Sequence, residues 1–231
     1  MSIQTHGLGR IATTDEKDAN YPLRALLAPA PALPTSKMWR IGPILDQGRT
    51  PMCVGFSSRQ WLTSWPVPDK GGPTAQDIYH GAQVNDGTPG EAYDGTDDRG
   101  AMKFLQALGY VSAYHWTANA DEAATYVLTQ GTCLIGVDWY EGMFTPDVHG
   151  VIRRTGNVTG GHELLIVGYN RTRGLFRLAN SWGSSWGQRG KCWLAGEDLQ
   201  RLIDAGGDVC APVQAVPIAV PPAVPTKTGA V

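Results

Sequence analysis

HELLIVGYNRTRGLFRLANSWG, residues 162–183, carries the architecture of the chain. HELLIVGYN is a mostly apolar run, as a buried strand requires. RTRG then turns the chain, and LFRLANSWG alternates with the period of two of a half-buried strand. With the turn near residues 170–174, His162 and Asn180 fall at the same end of a β-hairpin. There an Asn side-chain oxygen can accept from one imidazole nitrogen and orient the ring. Trp182, two residues on, is placed to cover that bond, which strengthens away from water.

Length and composition bound the rest. The chain has 231 residues, enough for one large domain or two lobes with a sizeable core. Charged residues make up 17%, below the usual quarter, while Gly and Pro (29 and 16) are abundant. The chain therefore reads as loop-rich and globular. A net charge of −2 with no long run of either sign excludes a basic nucleic-acid or membrane surface. No stretch reaches the roughly 18 apolar residues of a membrane span, and the N-terminus lacks the pattern of a secretory signal. A cytoplasmic location follows as an expectation. The abundance of Arg, Ala, Gly and Pro fits a GC-rich genome, bacterial or phage origin included.

The four cysteines, Cys53, Cys133, Cys192 and Cys210, have neither CxxC nor zinc spacing. Cys133, inside TCLIGV, reads as a small buried hydrophobe, and a Cys192–Cys210 bridge is not expected in a reducing compartment. Cys53 differs. In GRTPMCVGFSS, residues 48–58, it follows Pro51 at the head of a Pro-free stretch to Trp65, with Val54, Trp61, Leu62 and Trp65 near helical spacing. A cysteine in a first helical turn has its thiolate stabilised by the helix dipole and by a nearby imidazole. His162 is the candidate base, and Gln47 a candidate amide donor to an oxyanion, beside the Cys53 backbone N–H.

Helical stretches are also expected at PTAQDIYHGAQV, RGAMKFLQALGY (ended by Gly109) and DEAATYVLTQG, and a strand at CLIGVDWY. Helices come first and an antiparallel sheet follows, an α+β class with two lobes. Residues 1–32 read as an N-terminal arm or short leader, 33–210 as the catalytic unit and 211–231 as a Pro-rich flexible tail.

These segments resemble the papain-like cysteine peptidases. LPTSKMWR is similar to the family's mature N-terminal segment, and DQGRTPMCVGFS to its nucleophile segment. GGHELLIVGYN resembles the histidine segment and LANSWGSSWGQRG the asparagine segment. The resemblance, over roughly residues 33–200, implies a helical N-terminal lobe, an antiparallel β-rich C-terminal lobe and an active-site cleft between them. It implies hydrolysis of peptide bonds through a thioester, with Cys53 as nucleophile, His162 as base then acid, Asn180 as orienter, Gln47 in the oxyanion hole and Trp182 as shield. The family's Gly-Gly strip, which binds substrate backbone, is represented only by YDGTDD, where Gly95 matches and Thr96 departs from it; Gly95, Thr96 and Gly161 are the candidate substrate-binding positions.

Several positions depart from the family. Thr50 stands where it has a disulfide cysteine, Val54 where it has an aromatic, and His162 follows Cys53 by fewer residues than usual. Glu163 replaces a small apolar residue. Alternation along a strand should turn it away from Cys53, toward an Arg or a solvated rim. The leader is too short for a long helical propeptide and is expected to pack on the catalytic unit, partly in the cleft. No cofactor and no metal are expected, since the acidic loop near residue 95 lacks EF-hand spacing. The expected partner is a peptide or protein substrate, with no nucleic acid and no membrane, and a monomer. The alternative is a catalytically silent papain-like fold serving as a binding or structural component of a phage or secretion assembly.

Overall fold

The structure is a computed structural model that describes residues 6–27, 32–66, 68–69, 71–87 and 93–215. Three helices come early: α1 (Cys53–Leu62), α2 (Ala75–Asn85) and α3 (Asp98–Ala107). α2 opens on a capping box, in which Thr74 and Asp77 satisfy each other's backbone N–H groups. α3 opens on Asp97, whose carboxylate accepts from the Gly100 N–H. These caps explain why polar, loop-like sequence switches to helix so abruptly. α1 has no side-chain cap, begins one residue after Met52, and ends at Leu62, short of the expected Trp65.

Among the described residues seven strands form one sheet: β1 (Ser36–Met38), β2 (Val111–Thr117), β3 (Cys133–Tyr140), β4 (Val158–Asn170), β5 (Leu175–Ala179), β6 (Lys191–Ala195) and β7 (Asp208–Gln214). The order is β2-β7-β3-β4-β5-β6, with β1 on β4, and every pairing is antiparallel. Two further helices, α4 (Ala120–Thr129) and α5 (Gly196–Asp204), complete the α+β fold. Residues 211–214, expected in a flexible tail, belong to β7, which lies between β2 and β3. Residues 216–231 of that tail lie outside the described residues.

Side-chain alternation sorts the core into two clusters, one on each face of the sheet. Ile135, Val137, Trp139, Leu164, Ile166 and Val209 pack with α4 and α5. Leu134, Leu165, Val167 and Cys210 pack with α1, α2 and α3. This parity places His162 on the first face and Glu163 on the second, toward the early helices. Ser57 of α1 donates to the Glu163 carbonyl at 2.9 Å, tying α1 to β4. Glu163 is therefore neither turned away from the α1 side nor at a solvated rim. It is fully buried, and neither carboxylate oxygen has a hydrogen-bond partner. All four cysteines are buried and free.

Candidate active site

Cys53 is the first residue of α1 and fully buried. Burial pushes its thiol up, the charge of Asp98 adds to this, and the backbone N–H groups of Val54 and Cys53 pull it down less. The helix-start stabilisation read from the sequence is present, but burial outweighs it and the net shift of the thiol is upward.

The β4–β5 hairpin turns through residues 171–174, with Asn170 paired to Leu175. This brings His162 Nε2 to 2.8 Å from Asn180 Oδ1. Asn180 Oδ1 also accepts from the Ser181 N–H at 2.8 Å, which fixes the carboxamide. With Nε2 engaged, His162 Nδ1 is left buried and without a hydrogen-bond partner. Burial drives the His162 pKa down to about 4, against a smaller upward pull from Asn180. Trp182 stacks on the imidazole with centroids 4.7 Å apart, and Trp139 meets it edge-on at 4.9 Å. Trp182 itself stacks on Phe144 and is edged by Trp139 and Trp186. The imidazole–carboxamide bond thus sits inside an aromatic box.

Gln47 is buried, and its orientation is set from the asparagine segment. Ser181 Oγ donates to Gln47 Oε1 at 2.6 Å. Gln47 Nε2 is thereby directed to the Thr50 and Gly7 carbonyls, at 2.8 and 3.2 Å.

The N-terminal arm runs across these groups. His6 stacks on Trp182 at 4.6 Å, on an indole that also stacks with His162. The Gly7 carbonyl accepts from Trp182 Nε1 as well as from Gln47, and the Gly7 N–H donates to Gly48. Gly9 and Arg10 N–H groups both donate to the Gly161 carbonyl, at 2.9 and 3.0 Å. The Thr96 N–H donates to Gly9 and the Thr96 carbonyl accepts from Ile11, a parallel bridge. Gly95 has φ +105°, and a Cβ there would lie 2.4 Å from the Gly9 carbonyl, so glycine is required for the arm to approach. Gly95, Thr96 and Gly161 all lie against the arm. So does Pro51, whose carbonyl is 2.1 Å from an ideal Gly9 Cβ position. One arm residue thus touches neighbours of both Cys53 and His162.

Sequence reading did not find Trp139, Ser181, His6, Arg10 or Asp208. Ser181 sits between two singled-out residues and offered a usable signal. The others meet the site only through the sheet register and the path of the arm. Among the described residues no group of His, Cys, Asp and Glu is placed to hold a metal ion, and no helix is long and apolar enough to cross a membrane.

A helical layer and an antiparallel sheet, with this hairpin presenting His162 and Asn180, form the papain-like fold. The chain superimposes on xylellain, a cysteine protease from Xylella fastidiosa, with a TM-score of 0.70 at 17% identity, covering 92% of this chain and 98% of that one. It superimposes on digestive procathepsin L2 proteinase from Tenebrio molitor larval midgut with a TM-score of 0.66 at 21% identity, covering 90% and 78%. Residues 75–202 match the family described as papain family cysteine protease. The chain belongs to that family. The matched segment includes His162 and Asn180 and begins beyond Cys53, in keeping with the altered nucleophile segment. The curated relatives include cathepsin B-like cysteine proteinase 3 of Ostertagia ostertagi, 30% identical over 115 residues (44% of this chain, 65% of that protein). Gamete and mating-type specific protein A of Dictyostelium discoideum is 27% identical over 175 residues, 64% of this chain and 39% of that protein. The chain spans less than two thirds of the length of either curated relative.

Proposed function

We propose that the chain is a cysteine endopeptidase whose cleft is covered by its own N-terminal arm. The observation that carries this reading is the His162–Asn180 bond at 2.8 Å, which leaves Nδ1 as the imidazole nitrogen free for proton transfer. With the arm displaced and the cleft hydrated, the cost of charge falls, and Nδ1 takes the Cys53 proton. The sulfur attacks the peptide carbonyl. The Cys53 N–H and Gln47 Nε2 bind the oxyanion, a role for which Ser181 already orients the amide. His162 returns the proton to the leaving amine, giving a thioester. Water, deprotonated by the same nitrogen, then releases the acid and restores the thiol. Asn180 keeps the proton of the neutral ring on Nε2 and still accepts from it when the ring is charged, while Trp182 packs on its face.

A peptide or protein substrate is expected, and the residues that receive the arm's backbone, Thr96 and Gly161, are assigned to receive a substrate's. Turnover of an unfolded protein by the intact chain, by Gly7→Ala and by Cys53→Ala tests the assignment. A Cβ at Gly7 would lie 2.0 Å from the Thr50 carbonyl, so Gly7→Ala pushes the arm outward. Gly7→Ala should cut faster than the intact chain, and Cys53→Ala not at all while staying folded. Cleavage retained by Cys53→Ala removes the nucleophile assignment.

The silent scaffold is favoured by one observation, the full burial of Cys53. It predicts no cleavage by Gly7→Ala.

A further inference from the structure

Asp208 of β7, Gly136 of β3 and Glu163 of β4 lie side by side in register, so they share one face of the sheet. It is the face turned to α1–α3, and Asp98 of α3 interacts with Asp208 there. Gly136 leaves a gap between the two acidic neighbours. An ideal Cβ on it would be 2.6 Å from both Arg10 Nε and Asp208 Oδ1. The Arg10 side chain fills that gap and is only 2% exposed. Its Nη2 donates to Asp208 Oδ2 at 2.8 Å and to the Gly206 carbonyl at 3.1 Å. Acceptors remain beyond these. The Asp98 and Asp208 carboxyl groups are hydrogen-bonded to each other, while both carboxylate oxygens of Glu163 are buried with no hydrogen-bond partner. The row lies on the face of the sheet that packs against α1, whose first residue is Cys53.

The pocket is therefore a recess for a cationic side chain, opening beside the track on which Thr96 and Gly161 hold an extended backbone. We propose that Asp208, Glu163 and Asp98, around the gap at Gly136, form a substrate subsite selecting arginine, and lysine next, with Arg10 as its resident occupant. This rests on the peptidase reading above. Side-chain recognition does not depend on the direction of the chain that delivers it, so a substrate can use the recess whichever way it lies. Arginine supplies a fork of donors to these carboxyl groups, whereas an apolar side chain leaves them buried without a cation. Burial and the charge of Asp208 push the Asp98 carboxyl well above the usual carboxylate range, and Arg10 pulls it down less.

The test uses the full chain carrying Arg10→Ala and Cys53→Ala, which empties the recess and prevents turnover. The probes are a blocked synthetic peptide of residues 6–11 and its counterparts with lysine or leucine in place of the arginine, titrated by calorimetry. The arginine peptide should bind at least tenfold more tightly than the leucine peptide, with lysine between, and adding Asp208→Ala should abolish the difference. Equal binding, or no binding of the arginine peptide, overturns the subsite. Gly7→Ala, which leaves every charge in place, carries the question if Arg10→Ala fails to fold. Its cleavage products from an unfolded protein should show arginine or lysine enriched at one fixed position before the cut, and Asp208→Ala should erase the enrichment. Cleavage without that enrichment overturns the subsite and leaves the peptidase. Selective binding without any cleavage overturns the peptidase and leaves the recess as a recognition site.

Discussion

Ser181 Oγ donates to Gln47 Oε1 at 2.6 Å, joining side chains 134 residues apart in sequence. An amide can present either its oxygen or its nitrogen to the cleft, and this bond selects the nitrogen. Ser181→Ala should therefore lower kcat several-fold with KM little changed, and Gln47→Ala should lower kcat by ~10²-fold, the cost of losing one oxyanion donor. A loss confined to KM in both variants would place Gln47 in ground-state binding.

Cys53 should be a slow thiol in the intact chain. Its pKa is raised by burial, as is that of Cys133. Iodoacetamide near pH 7 should label the two at similar rates, followed by mass spectrometry. In Gly7→Ala, labelling should rise at least tenfold at Cys53 alone. A parallel rise at Cys133 would mean general unfolding.

His162 makes stability depend on pH. Its folded pKa of about 4 lies below the ordinary 6.5, so the unfolded chain takes up a proton that the folded chain refuses. The stabilisation is full above pH 6.5, declines as pH falls and is gone below about 4, amounting to about 3 kcal/mol. Urea unfolding of the intact chain and of His162→Gln across this window should show the intact chain losing more. The buried carboxyl groups of Asp98 and Asp208, whose pKa values are raised, act with the opposite sign, but they do so in both proteins. Equal losses would mean the ring is hydrated in solution.

Trp182 should matter doubly. Trp182→Ala removes a buried ring that packs on His162, Phe144, Trp139 and Trp186 and should cost ~3–5 kcal/mol by chemical denaturation. It also removes the surface that His6 stacks on and a donor to Gly7, so the arm should become sensitive to limited proteolysis under native conditions. Protection unchanged from the intact chain would mean the Gly161 and Thr96 bonds alone hold the arm.

The hairpin was legible because its information is local. A four-residue turn with alternation on either side fixes which residues face each other, and His162 and Asn180 follow. Cys53 at a helix start was legible for the same reason. The Arg10–Asp208 pair was not, since its partners lie 198 residues apart and meet only because Gly136 has no side chain. Glu163 was misplaced because alternation gives two faces but not which of them the early helices cover. APVQ at residues 211–214 looked like a polyproline tail. Its strand exists because Cys210 and Ala211 are buried on opposite faces, which outweighs a proline lacking a ladder donor.

Under the proposed reading the segment over the cleft is part of the same polypeptide, so its occupancy is set by an intramolecular equilibrium. Dilution cannot release it, and an added peptide competes with a tethered rival at an effective concentration unrelated to how much protein is in the tube. Any affinity measured on the intact chain is scaled down by the fraction of molecules that are open. Ligands ranked on that form keep their order while all appearing weak, and severing the tether raises every one of them by the same factor.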